Sequence, residues 1–93
     1  YLNILFRNLK ILNQNKYDFI FYVAGVDIHF EDRLGKLKIT DAGVNKRDQI
    51  VIDNFNRKNI PLCGVLGGGY NKSFEKLIEL HSMLHKNCAE IIR

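Results

Sequence analysis

Two stretches limit what this chain can become. "YDFIFYVAGV" (residues 17–26) and "IPLCGVLGG" (residues 60–68) are short, apolar almost throughout, and do not alternate. A strand with one wet face alternates with a period of two. A strand covered on both faces does not, and such strands belong to parallel sheets. Helical patterns surround both. Leu2, Leu5, Phe6, Leu9 and Leu12, with Arg7 and Lys10 on the other side, predict an amphipathic helix over residues 2–13. Val44, Ile50, Val51 and Phe55 predict a second helix over about residues 41–58, with Thr40 or Asp41 as its cap and Asn59 at its end. Pro61 opens the second strand, where a missing N–H costs least. Ser73 can cap a last helix. Its apolar stripe runs through Phe74, Leu77, Ile78, His81, Leu84, His85, Cys88, Ile91 and Ile92. The order helix, strand, long loop, helix, strand, glycine loop, helix predicts an α/β fold with right-handed crossovers. Two strands make a poor parallel sheet, so the 93 residues read as a single segment at the end of a larger sheet. The chain opens on Tyr1 and not on Met, which fits a piece of a longer product.

Composition removes several functions. The net charge is +4, but Lys and Arg are scattered among acids and never form a run. Aromatics do not interleave with bases as direct nucleic-acid binding requires. No apolar run approaches the roughly 18 residues of a membrane span, and there is no signal-peptide pattern. The two cysteines, Cys63 and Cys88, form no C-x-x-C and read as reduced packing residues of a cytoplasmic protein.

In open α/β sheets, ligands sit beyond the carboxyl ends of the strands. One such end carries Asp27, and the other carries Gly67-Gly68-Gly69-Tyr70. If the two strands are parallel neighbours, a carboxylate and a phenol meet in one cleft. Asp27 has two readings. It caps a turn or pairs with Arg33, or it holds a metal such as Zn²⁺, which takes a carboxylate oxygen at about 2.0–2.2 Å. His29 makes "DIH" look like a ligand pair, but two ligands do not close a site, and His29 reads as a loop histidine. His81 and His85 share a helix face, yet "HSMLH" carries Ser82 where H-E-x-x-H needs its base. Both read as packing histidines. The glycine loop has neither Walker A nor G-x-G-x-x-G spacing, which weakens a nucleotide-binding reading. Its glycines permit close backbone approach and let the Tyr70 hydroxyl enter the cleft. The bland reading of Tyr70 is a half-buried aromatic at a helix entrance.

Taken together, "AGVDIHFEDRLGKLKIT", "AGVNKRDQIV" and "IPLCGVLGGGYNKS" resemble the C-terminal part of the histone deacetylase superfamily. The strings from Asp32 to Gly35 and from Gly43 to Asp48 look most like its class IV branch and related bacterial proteins. The likeness implies the C-terminal portion of an arginase/deacetylase-like fold, a three-layer α-β-α arrangement around a parallel sheet. It also implies zinc-dependent hydrolysis of acyl-lysine or acyl-polyamine amides. Carried over by position, Asp27 would be a zinc ligand. Tyr70 would hydrogen-bond the acyl oxygen, Gly68 and Gly69 would line the acyl channel, and Asp32 would shape the loop. The family's tandem His and its Asp-x-His ligand pair lie upstream of the A-G-x-D motif, and residues 1–22 contain no histidine. The expectation is one zinc ligand and the tyrosine, inactive as an isolated segment, with strand edges open to self-association. The alternatives are a non-catalytic relative acting as an interaction module and an anion- or nucleotide-binding module.

Overall fold

A computed structural model describes residues 1–92, the side chain of Ile92 excepted. The elements follow in the order α1 (Leu2–Leu12), β1 (Ile20–Ala24), α2 (Asp41–Arg57), β2 (Leu62–Leu66) and α3 (Phe74–Ile92). β1 and β2 pair in parallel, in register from Ile20 opposite Leu62 to Ala24 opposite Leu66. The chain is α/β, with β1–α2–β2 as its central unit and no helix long and apolar enough to cross a membrane among the described residues.

Local chemistry sets the boundaries. The Thr40 hydroxyl accepts from the Gly43 N–H at 3.1 Å, satisfying one of the orphan donors at the start of α2. After α2, Asn59 takes φ 57°, the left-handed region where asparagine is among the few side chains tolerated. At the start of α3 the Ser73 hydroxyl accepts from the Lys76 N–H at 3.2 Å. β1 is shorter than its apolar run, because only residues 20–24 find partners on β2. Tyr17 to Phe19 approach the sheet without joining it.

All three helices cover the same face of the sheet. Leu9 of α1 and Ile50, Val51 and Phe55 of α2 pack with Ile20, Tyr22 and Leu62. Ala24 at the end of β1 meets Ile52 of α2 and Leu84 of α3. Val26, Val44 and Leu80 form a third cluster near the carboxyl edge, with Val44 and Leu80 fully buried. Each such side chain contributes about 1.5–3 kcal/mol on leaving water. Gly64 lets α3 lie close, since a Cβ there would sit 2.9 Å from a Leu84 methyl.

The other face of the sheet is bare. Phe21 is 73% exposed and Val23 66%, and the Phe19 and Phe21 rings lean on each other at 5.0 Å. The non-alternating strand sequence is thus explained by composition suited to two covers, of which these residues supply one. Of the expected three layers, the sheet and one helical layer are present.

The α3 stripe differs from its sequence reading. Leu77, Leu80, Leu84 and Cys88 meet the core, whereas Phe74 is 74% exposed, Ile78 54%, and His85 is exposed too. Two apolar stripes run along this helix, and the sheet and α2 cover only the one that includes Leu80.

Candidate functional site at the carboxyl edge of the sheet

The parallel pairing carries both strand ends to one edge. Pairing continues one step past the strands, where the Val26 N–H donates to the Gly68 carbonyl at 2.7 Å. A Cβ on Gly67 would lie 2.9 Å from the Gly25 Cα, so the two chains touch backbone to backbone. A Cβ on Gly68 would stand 2.9 Å from Asp27 Oδ2, and one on Gly25 would be 3.3 Å from Oδ1. The Asp27 carboxylate therefore rests against bare glycine backbone from both strands. No glycine adopts positive φ, so the loop uses glycines for close approach and not for left-handed turns. Gly69 is the most enclosed of the run, with Val26, Leu77 and His81 all within contact of its missing side chain.

Asp27 is exposed and has no hydrogen bond or ion pair with any described residue. The reading in which it pairs with Arg33 is not what the structure shows. The Arg33 Nε–H instead donates to the Tyr70 carbonyl at 3.2 Å, beside the Arg33 backbone N–H at 3.1 Å. Tyr70 lies two residues beyond Gly68, no more than about 7 Å of extended chain. Its ring is half exposed, and its hydroxyl has no partner among the described residues.

Asp32 is the hub of the loop between β1 and α2. It is buried, its Oδ1 accepts from the Tyr70 N–H at 2.5 Å, and its Oδ2 accepts from the N–H groups of Leu34 (3.0 Å) and Gly35 (2.7 Å). Burial alone would raise its pKa. The backbone donors of Tyr70, Gly35 and Leu34, with the Arg33 charge, outweigh that and hold it below the usual carboxylate range. A carboxylate that accepts three N–H bonds shapes a loop, as expected for this residue.

His29 is a structural residue. It is fully buried, and its Nδ1 faces two donors, the Glu31 N–H and the Asn71 amide, each at 3.3 Å. The Asn71 amide is oriented by the Ser73 N–H on its oxygen at 3.1 Å. Nδ1 is thus the acceptor, which assigns the proton to Nε2, donated to Asp41. Lys76 Nζ holds the other oxygen of Asp41 at 2.7 Å, and Lys76, then His29, pull the Asp41 pKa below its ordinary value. The chain ties the loop to the first turns of α2 and α3.

Sequence reasoning did not find the support beneath β1. Arg47 and Asp48 are buried on α2. Arg47 donates to the Gly25 carbonyl, and its Nε and Nη2 reach Asp48 at 3.1 and 3.0 Å. Tyr22 donates to the same Asp48 oxygen at 2.6 Å, and the guanidinium lies 5.7 Å from the Tyr22 ring centroid. A buried charge is tolerated only when so paired. The signal was the charged pair on the Val44–Ile50–Val51 face of α2. Behind Gly69, His81 has a buried Nδ1 with no partner among the described residues. Burial first, then Arg47, lowers its pKa, which suits a neutral packing histidine.

The family model of the histone deacetylase domain matches residues 1–84. The chain belongs to the histone deacetylase family. Its relatives include Histone deacetylase 2 of Arabidopsis thaliana, 39% identical over 79 residues, covering 84% of this chain and 20% of that protein. An uncharacterized protein of Picosynechococcus sp. is 41% identical over 92 residues, covering 98% of this chain and 31% of that protein. This deacetylase-family chain therefore spans about a third or less of the curated relatives it matches. Among the described residues, no three His, Cys, Asp or Glu side chains group as a metal site. What this deacetylase-family chain offers a metal at the sheet edge, among the described residues, is the unpartnered carboxylate of Asp27. An oxygen donor with no competing partner suits zinc as one ligand of a shared set.

Proposed function

We propose that this chain is the C-terminal portion of a zinc-dependent deacylase, which hydrolyses the amide of an acyl-lysine or acyl-polyamine substrate. The observation that carries the reading is the placement of the unpaired Asp27 carboxylate against Gly68, two residues from Tyr70, at the carboxyl edge of a parallel pair. Asp27 would hold the metal together with ligands from the rest of the protein. Zinc, when bound, would supply Lewis-acid polarisation of the amide carbonyl and strong acidification of a water, to a pKa of about 7.

The other roles fall to residues of this chain. Gly68 presents bare backbone against Asp27, Gly69 continues it toward Tyr70, and both would line the acyl channel. The Tyr70 hydroxyl donates to the acyl oxygen as negative charge develops there. In the amide ground state the same donor meets a weaker acceptor, so its contribution falls mainly on the transition state. Proton transfers are assigned to residues outside this chain. The bare sheet face with Phe21 and Val23 supports a larger domain around it, and the unpaired outer edges of β1 and β2 would invite self-association of the segment alone.

The test is metal content and turnover of the full-length protein. Wild type is expected to hold about one zinc per chain and to deacylate an acyl-lysine or acyl-polyamine probe. Asp27→Ala is expected to lose the bound zinc and with it the activity. A variant that keeps stoichiometric zinc would remove Asp27 from the ligand set.

A further inference from the structure

We infer that Asp32 and Arg33 act together as a clamp on the Tyr70 backbone, and that Arg33 is a positioning residue for the Tyr70 hydroxyl. The inference rests on the reading of Tyr70 as the donor to the acyl oxygen. Both polar backbone groups of Tyr70 are committed to these two consecutive residues. The N–H goes to Asp32 Oδ1 at 2.5 Å. The carbonyl takes the Arg33 N–H at 3.1 Å and the Arg33 Nε–H at 3.2 Å. Asp32 and Asn71 also bridge in antiparallel fashion.

The need for a clamp follows from what precedes Tyr70. Three successive glycines lose more conformational freedom on folding than any other residues would. Nothing on the Tyr70 side chain anchors it, since the ring is half exposed and the hydroxyl has no partner among the described residues. The direction of the Cα–Cβ bond is thus set by the backbone on either side of it. One charged acceptor on its N–H and two donors on its carbonyl fix the two peptide units that flank its Cα. Asp32 is in turn held by Leu34 and Gly35, and Gly35 abuts the backbone of Asp27. One short loop therefore ties the proposed metal ligand and the proposed oxyanion donor to each other. Arg33 has no ion pair among the described residues, and its charge acts on the neighbouring Asp32.

The experiment is a double-mutant cycle in the full-length enzyme. Arg33 is exposed and can be removed without opening the core. Arg33→Ala is expected to lower kcat by about tenfold or more, as a misplaced catalytic group does, with KM and zinc content unchanged and Arg33→Lys recovering part of the loss. In a Tyr70→Phe background the same change is expected to cost less than about twofold, because residues acting through one group are non-additive. Amide exchange across residues 67–71 is expected to rise in Arg33→Ala, a readout independent of turnover. Equal losses in both backgrounds, no loss in either, or unchanged exchange would each overturn the clamp. A Tyr70→Phe enzyme as fast as wild type would instead overturn the reading of Tyr70 on which the clamp depends.

Discussion

Tyr70→Phe in the full-length protein is expected to lower kcat by about 10²–10³, equivalent to about 2.7–4 kcal/mol, while zinc content and thermal stability stay at wild-type values. The separation follows from the environment of the side chain. The hydroxyl has no partner among the described residues, and the ring is half exposed. Removing the oxygen strands no buried donor, so folding loses nothing that water was not already supplying. Asp27 is untouched, so its proposed contribution to metal binding would remain. The backbone contacts from Asp32 and Arg33 do not involve the ring, so the phenylalanine takes the same place. On the proposed role, what disappears is one donor aimed at an oxygen that gains charge during reaction. KM should change little, because the ground-state amide uses that donor weakly. Steady-state kinetics beside metal analysis decide the matter, and turnover equal to wild type would exclude the role.

Gly35→Ala is expected to be the most damaging single methyl in the molecule. A Cβ at Gly35 would lie 1.7 Å from the Asp27 carbonyl oxygen and 2.9 Å from its carbon. Both are backbone atoms, so no rotamer change relieves the overlap. The conformation is not the obstacle, since Gly35 does not have positive φ, and the requirement is for space. Accommodation requires the Asp27 peptide to move by more than about 1 Å, since carbon and oxygen pack no closer than about 3.3 Å. Overpacking of this kind costs about 1–3 kcal/mol or more in stability. The same shift carries the carboxylate off its position and pulls the Gly35 N–H from Asp32, 2.7 Å away. A displacement of that size is expected to cost about 10² in kcat. Denaturant melts and kinetics on the full-length variant measure both effects. A variant with native stability and native rate would show that the loop does not pack on Asp27 as described.

The parts of the fold carried by local chemistry were legible. Thr40, Asn59 and Ser73 mark helix ends through contacts within a few residues, and all three act as their residue types suggest. The two apolar runs announced parallel strands, and the pairing places Asp27 and the glycine loop at one edge. Long-range choices were not legible. Helix α3 carries apolar residues around much of its circumference, and only the position of the sheet selects the Leu80 face over Phe74 and Ile78. His29 could be read as a ligand until Asp41 and Asn71 arrived from distant parts of the chain to bind both ring nitrogens. Arg47 stood in the sequence only as part of the Gly43-to-Asp48 string, although its neighbours on the α2 face are apolar. Its carbonyl partner, Gly25, is 22 residues away. The Asp32-Arg33 pair was legible as a family string, but its grip on Tyr70 spans the whole β1–α2–β2 unit.

The central claim is that Asp27 and the Tyr70 hydroxyl serve one substrate carbonyl from adjacent parallel strands. The most direct measurement is an experimental structure of the full-length protein with zinc and a bound acyl-lysine analogue. The expected result is an Asp27 oxygen at about 2.0–2.2 Å from the metal and the Tyr70 hydroxyl at about 2.5–3.0 Å from the acyl oxygen. A bound metal without Asp27 in its shell, or a Tyr70 hydroxyl turned to bulk water with the analogue in place, would contradict it.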